Sequence, residues 1–322
     1  MRHLRRVRLA LPAALLLAPS IAAQEAPGAD HHQHLFSPAV LSMLKASGAD
    51  VPPVLAARDL VPLLDSAGIR RAVLLSVAYM YGSPSRTVED EYAKVRAEND
   101  WTAAQAAEYP DRLIAFCGFN PLKAYALEEL ARCAADPNLR RGLKLHFGNS
   151  VVDYHNPEHI AQVRRVFLAA NDRRMAIVAH LRASVTAKLP WGREEALIFL
   201  NELLPAAPDV VVQIAHLASA GSPQDEGAQR ALEVFVDAVA RNDPRTHHVY
   251  FDATTLGEPP TPENAQRWAA AIKRLPTRVL FGSDATTATA TPGGVWTAMR
   301  RLLPLTDDEF RSIANNTPTY MQ

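Results

Sequence analysis

The chain has 322 residues, 48% hydrophobic and 21% charged, and its 34 acidic and 34 basic residues cancel to a formal net charge of zero. That is an ordinary globular composition, enough for one large domain or two small ones. No long single-sign run follows the first ten residues, so nothing draws the chain to nucleic acid or anionic lipid; a small molecule is the expected partner, and a homodimer is left open.

The N-terminus reads as a secretory signal. Basic "MRHLRRVR" precedes apolar "LALPAALLLA" and then small residues in "PSIAAQEA", which places cleavage near Ala22 or Ala23. Residues 1–23 are therefore expected to be removed, leaving 24–322 as a single domain in the periplasm or outside the cell. The Arg5-Arg6 pair also fits a twin-arginine signal. The apolar run is too short for a permanent span, and no later window offers about 20 uninterrupted apolar residues.

Eight apolar runs follow: "GADHHQH", "RRAVLLSVA", "RLIAFCGFN", "RGLKLHF", "RMAIVAHL", "DVVVQIAHLA", "HHVYFDATTL" and "TRVLFGSDA". Between them lie amphipathic stretches such as "SRTVEDEYAKVRAENDWTAAQAAEY", "ALEELARCAA", "NPEHIAQVRRVFLAAN", "REEALIFLNELLPAA", "AQRALEVFVDAVARN" and "PENAQRWAAAIKRL". Their apolar residues recur every three or four positions, as a helix against a sheet requires. Continuous apolar strands alternating with helices imply parallel strands buried on both faces, and eight such units close into an α/β (β/α)8 TIM barrel. The expected barrel runs over residues 28–322, with "TPGGVWTAMRRLLPLTDDEFRSIANN" supplying the last helices. A doubly wound open sheet is the rival, but it predicts a glycine-rich loop after the first strand, and "HHQHLFSP" has none.

Two cysteines, Cys117 in a strand-like run and Cys133 in a helix-like one, cannot build a disulfide scaffold. Two buried free thiols are the expectation, with pairing in an oxidising compartment as the alternative.

Active sites in such barrels lie at the C-terminal ends of the strands. The first run ends in His32 and His34, the fourth in Lys144 and His146, the fifth in His180, the sixth in His216, the seventh in Asp252 and the eighth in Asp284. Strand period two puts His32 and His34 on one face and turns His31 away towards the outer helices; Asp30 shares the inner parity but lies deeper, in a structural role. A lone strand-end histidine is usually a hydrogen-bonded core residue. A His-x-His pair joined by His, His and Asp at the equivalent ends of three other strands points instead to a divalent metal with an open position, zinc being the expected ion.

"DHHQHLF" resembles the Asp-x-His-x-His signature of the amidohydrolase superfamily, and "AHL", "AHLAS" and "LFGSDA" fall where that superfamily places its other site residues. "GLKLHF", the paired "AHL" strands and "LTDDEFRSIANN" are similar to the branch that includes aminocarboxymuconate semialdehyde decarboxylase and lactone hydrolases. The resemblance implies ligation by His32, His34, His180 and Asp284, with His216 beside the metal as acid/base or oxyanion stabiliser.

A divalent cation acidifies water and polarises a carbonyl. Asp284 is placed to accept the proton, and His216 to stabilise an oxyanion or share the transfer. The resulting expectation is an ester, lactone or amide hydrolase. Two alternatives are a decarboxylase of an unsaturated or aromatic acid using the same metal, and a non-catalytic ligand-binding barrel. One ion is expected, or two if Lys144 is carboxylated and bridges them; otherwise Lys144 binds substrate, supports a ligand or is structural. His146 could orient a ligand, and Arg182 could bind a substrate carboxylate. Loops carrying Asp153, Tyr154 and His155, and Trp191 and Arg193, are long enough to reach over the mouth.

Overall fold

A computed structural model describes residues 25–48, 56–222, 224–254, 260–285 and 290–322, so the expected signal segment lies outside the described residues. Each of the eight apolar runs contributes a strand: β1 (Ala29–Gln33), β2 (Arg71–Leu75), β3 (Leu113–Gly118), β4 (Gly142–His146), β5 (Ala176–His180), β6 (Val212–Ile214), β7 (Val249–Ala253) and β8 (Val279–Phe281). They pair in parallel in sequence order. The ring closes where the Asp284 N–H donates to the His32 carbonyl at 2.7 Å. Gly282 permits that closure, because a Cβ there would stand 2.6 Å from the His32 Cβ.

The helices are α1 (Pro38–Ala46), α2 (Ala57–Ser66), α3 (Glu91–Ala107), α4 (Ala126–Ala135), α5 (Phe147–Ser150), α6 (Pro157–Asp172), α7 (Arg193–Ile198), α8 (Glu226–Ala240), α9 (Pro262–Lys273), α10 (Pro292–Leu302) and α11 (Asp307–Asn315). Four of them start alike: Ser37, Asn156, Thr261 and Thr291 each cap the helix with a side-chain oxygen, and the next residue is proline. Proline suits that first position because its missing N–H would have had no partner there. α1, α2 and the short α5 had no counterpart in the expected set. The stretch expected to be helical from Arg193 widens after α7 into a π turn at Phe199–Leu203 and then tightens into a 3-10 turn at Leu204–Ala206.

Strand alternation divides the core in two. Val73, Leu75, Ile114, Phe116, Ala176 and Val178 fill the lower barrel with Tyr320 and Met321, whereas Ala72, Leu74, Leu113, Ala115, Cys117, Ile177 and Ala179 face the helices. Burying each large side chain of this kind stabilises the fold by about 1.5–3 kcal/mol. Gly142 shares the inner parity of β4, where a Cβ would meet the Phe116 ring at 2.3 Å, so Lys144 and His146 also turn inward. The C-terminal turn Thr319–Met321 closes the barrel floor from below.

This layering corrects the thiol expectation. Cys117 faces outward from β3 and Cys133 faces inward from α4, and the two form a disulfide across a separation of 16 residues. Among the described residues, no helix is long and apolar enough to cross a membrane.

Candidate metal centre

β1 departs from simple alternation. Its pairing with β2 slips between Asp30 and Gln33, a bulge that brings two consecutive histidines inward. His32 rises towards the mouth, while His31 packs edge-on against Tyr320 and joins its hydroxyl through Nδ1 at 2.9 Å. The expectation that His31 faces the outer helices is therefore corrected: period two holds only while the ladder is regular. Asp30 ties β1 to the loop after β8, accepting from the His32 N–H at 3.1 Å and from both the N–H and the hydroxyl of Ser283. Burial pushes its carboxyl up to about 6 against those bonds.

At the mouth, each histidine's chemistry follows from its partners. His34 Nδ1 lies 2.6 Å from the Leu75 carbonyl, which can only accept, so Nδ1 carries the proton and the Nε2 lone pair faces Asp284 Oδ1 at 3.6 Å. His216 presents Nε2 to Asp284 Oδ2 at 3.8 Å, and its buried Nδ1 has no partner among the described residues. His32 lies between Asp252 Oδ2 at 3.0 Å on Nδ1 and Lys144 Nζ at 2.9 Å on Nε2. His180 stacks on His146 at 3.9 Å and meets His216 edge-on at 5.1 Å. Burial, followed by the positive field of Lys144 and neighbouring histidines, holds His34 and His180 well below the usual imidazole range; His216 is held down likewise, against the pull of Asp252. Neutral imidazole is the form that binds metal.

The fit to one divalent ion rests on spacing. Two ligands at ~2.1 Å from a tetrahedral ion stand roughly 3.4 Å apart. The Asp284 carboxylate is 3.6 Å from one imidazole nitrogen and 3.8 Å from another, and His32, His216 and Asp284 each offer a ligand atom within 4.8 Å of the others. The grouping differs from the expected one: it draws in His216, expected beside the metal, and leaves His180 stacked on His146 one ring away.

His216 and Asp284 share another property. Both adopt left-handed backbone, φ 55° and 48°, and Leu217 and Ala218 continue it at 50° and 64°. The strand expected over residues 209–218 is thus cut to Val212–Ile214, and a strained turn swings His216 over the barrel axis. Such conformations cost about 1–3 kcal/mol each and persist where surrounding contacts enforce them.

Asp252, which the sequence placed at a strand end without a role, enforces this one. It is fully buried, its Oδ1 accepts from the His216 N–H and the Thr254 hydroxyl, both at 2.8 Å, and its Oδ2 accepts from His32 and from Gln213 Nε2 at 2.7 Å. Burial alone would raise this carboxyl, but His32 and the bonds it receives outweigh burial and hold it low. With four bonds accepted, Asp252 organises ligands and has no lone pair left to be one. Asp284 is the reverse: burial raises it, against His32 and Lys144.

Lys144 is 1% exposed, and burial lowers its ammonium to about 8, opposed by Asp284 and Asp252. His146 accepts the Asn149 N–H at 3.1 Å on Nδ1, caps α5, and is pushed by burial down to about 3. Its contact with the site is through stacking, not a hydrogen bond to a ligand. Tyr79, in the 3-10 turn Ala78–Met80 that follows β2, was not among the residues expected at the mouth; it is buried against the His146 ring, and burial followed by Asp284 raises its hydroxyl far above the usual range. Its signal was position alone, an aromatic residue just beyond an apolar run.

Arg182 does not reach the mouth as a free cation. Its Nε donates to Asp225 Oδ2 at 2.6 Å and its Nη1 to the Ala183 carbonyl at 3.0 Å. The loops expected over the mouth are also pinned: Tyr154 donates to the Leu181 carbonyl at 2.8 Å, Trp191 to that of Ala218 at 3.0 Å, and His155 pairs with Glu195.

The family model for amidohydrolases matches residues 29–321, and the chain belongs to that family of enzymes. Among solved structures, one of an amidohydrolase II is 20% identical, covering 89% of this chain and 96% of its own, with a TM-score of 0.65. A dihydroxybenzoic acid decarboxylase from a Polaromonas species, solved with manganese and 2-nitroresorcinol, is 16% identical over 90% of this chain and 94% of its own, TM-score 0.59. A probable 2-pyrone-4,6-dicarboxylic acid hydrolase from Acinetobacter baumannii, with citric acid bound, is also 16% identical, over 90% and 96%, TM-score 0.57. At these identities the likeness shows the (β/α)8 fold. No curated protein matches the sequence.

Proposed function

We propose that this protein is an exported, metal-dependent hydrolase that opens an ester, lactone or amide bond of a small molecule. The carrying observation is the position of Asp284 between His34 Nε2 and His216 Nε2, at 3.6 and 3.8 Å, in a cluster of neutral imidazoles. His32, His34, Asp284 and either His180 or His216 would hold the ion, with zinc the natural choice for this nitrogen and oxygen set.

When bound, a divalent cation supplies Lewis acidity to water and to a substrate carbonyl. Asp284, its carboxyl raised by burial, takes the proton of the attacking water and returns it to the leaving oxygen or nitrogen. With His180 completing the ligand set, His216 Nε2, which faces the same carboxylate, would be the donor that steadies the negative charge developing on the substrate. Tyr79, kept protonated, is a second donor at the mouth. The disulfide supports export, since such bonds persist in oxidising compartments.

Decarboxylation is the second reading, favoured by one observation: the buried Lys144 cation beside His32 could face a substrate carboxylate. The pairing of Arg182 with Asp225 removes the other candidate cation, and this leaves hydrolysis ahead.

The test is metal analysis of purified protein, then a panel of lactones, aryl esters and unsaturated carboxylic acids with carbon dioxide release monitored. About one mole of divalent metal per chain, with hydrolysis abolished by chelation and restored by zinc, is expected. Carbon dioxide release without hydrolysis would overturn the first reading in favour of the second. Less than about half a mole of metal, unrecovered on adding zinc, would overturn both.

A further inference from the structure

The C-terminal turn does more than close the barrel floor. Its Tyr320 packs into the lower-barrel cluster of Val73, Leu75, Ile114, Phe116, Ala176, Val178, Val211 and Met321 and carries a hydroxyl there. That hydroxyl lies 2.6 Å from Gln213 Oε1 and 2.9 Å from His31 Nδ1. Gln213 Nε2 donates to Asp252 Oδ2 at 2.7 Å and to the His31 carbonyl at 3.2 Å, and Asp252 Oδ2 in turn meets His32 Nδ1 at 3.0 Å.

Donor and acceptor chemistry fixes every proton in this chain. Both amide hydrogens of Gln213 go to oxygens that can only accept, so its Oε1 must receive the Tyr320 proton. The Tyr320 oxygen, its own proton committed to Gln213, then accepts from His31 Nδ1–H. The reverse orientation of Gln213 would turn its carbonyl oxygen towards the Asp252 carboxylate, a repulsive contact. Tyr320 therefore selects one of two amide orientations. That orientation holds Asp252 ready for His32 Nδ1–H, which leaves the His32 Nε2 lone pair on the side of Lys144 Nζ, 2.9 Å away.

We infer that Tyr320, acting through Gln213 and Asp252, is a positioning residue for the metal ligand His32, so that the C-terminal turn is part of the site; this rests on the metal-centre reading above. Two arginines from the strand bases fasten the turn in place. Arg71 Nη1 donates to the Met321 carbonyl, and Arg141 Nη1 to the Tyr320 carbonyl at 3.1 Å. Asp252 is the partner one bond removed from the ligand, a position that typically carries about 10–100-fold in metal affinity, and Tyr320 stands two bonds behind it.

The experiment measures zinc affinity by chelator competition, with thermal unfolding of the metal-free protein beside it, in wild type, Tyr320→Phe, Gln213→Met and Met321→Ala. Tyr320→Phe keeps the ring and removes only the hydroxyl; it should weaken zinc binding by roughly five- to tenfold, the lower end of the range for a direct partner, with little change in apo unfolding. Gln213→Met should weaken it similarly, and the double variant no further, because both act through one chain. Met321→Ala should lower apo stability and leave affinity within about twofold. Unchanged affinity in Tyr320→Phe, or affinity losses that track apo stability across all three variants, would overturn the inference while the metal centre stands. A wild-type protein that binds no zinc would instead overturn the metal centre, and the inference with it.

Discussion

His216 Nε2 faces Asp284 Oδ2 at 3.8 Å, and both residues are held in left-handed backbone, at φ 55° and 48°. Two non-glycine residues in that conformation, meeting over one barrel mouth, show that local strain is accepted to bring the two groups together. Asp284→Asn separates charge from conformation, since asparagine tolerates left-handed backbone as well as aspartate does. Turnover should fall by at least ~100-fold while thermal unfolding of the apo protein moves only slightly. Activity close to wild type would remove Asp284 from catalysis.

Lys144 Nζ stands 2.9 Å from His32 Nε2 as a buried cation. As a plain ammonium it should be replaceable by methionine without change in metal stoichiometry, near one per chain, and short carboxylic acids should not restore lost activity. Bicarbonate should likewise leave the stoichiometry unchanged. Rescue by acetate, or a second equivalent of metal with bicarbonate, would show a bridging carbamate instead.

The Cys117–Cys133 bond closes a loop of 16 residues between β3 and α4. Chain-entropy reasoning gives such a loop about 3 kcal/mol of stabilisation. The Cys117→Ala/Cys133→Ala variant should lose about that much in denaturant unfolding. Thiol titration of unreduced, denatured wild type should find no free thiol; two would reinstate the original expectation.

Glu98 on α3 is buried and accepts the Ser37 N–H at 3.4 Å and the Ser37 hydroxyl, beside the cap of α1. Burial, against those bonds, pushes its carboxyl from 4.5 up to about 7. Between those two values the folded state holds a proton that the unfolded state has lost, so this group's effect on stability falls as pH rises from 4.5 to 7 and is level above. Glu98→Gln has no proton to lose. Measured by unfolding at pH 5 and pH 8, the variant should gain on wild type by up to the order of 3 kcal/mol at the higher pH; a constant gap would show that Glu98 titrates normally.

The barrel was legible in the sequence because its signals are local. An apolar run of five residues and an amphipathic helix after it each declare themselves within a short window. Strand ends likewise exposed His32, His34, Lys144, His180, His216 and Asp284 as inhabitants of one mouth. Tertiary structure alone decided what each of them does there. The bulge that turns His31 onto Tyr320 is a slip between two strands. Three of the four bonds of Asp252 come from residues 36 or more positions earlier in the chain, and the fourth from Thr254. Cys117 meets Cys133, Arg182 meets Asp225, and Tyr320 reaches Gln213 only because the barrel has closed. A periodicity reports which face a side chain takes in its own element. Hydrogen bonds, tautomers and burial are set by whatever the completed fold places opposite it, and that partner is seldom a neighbour in the chain.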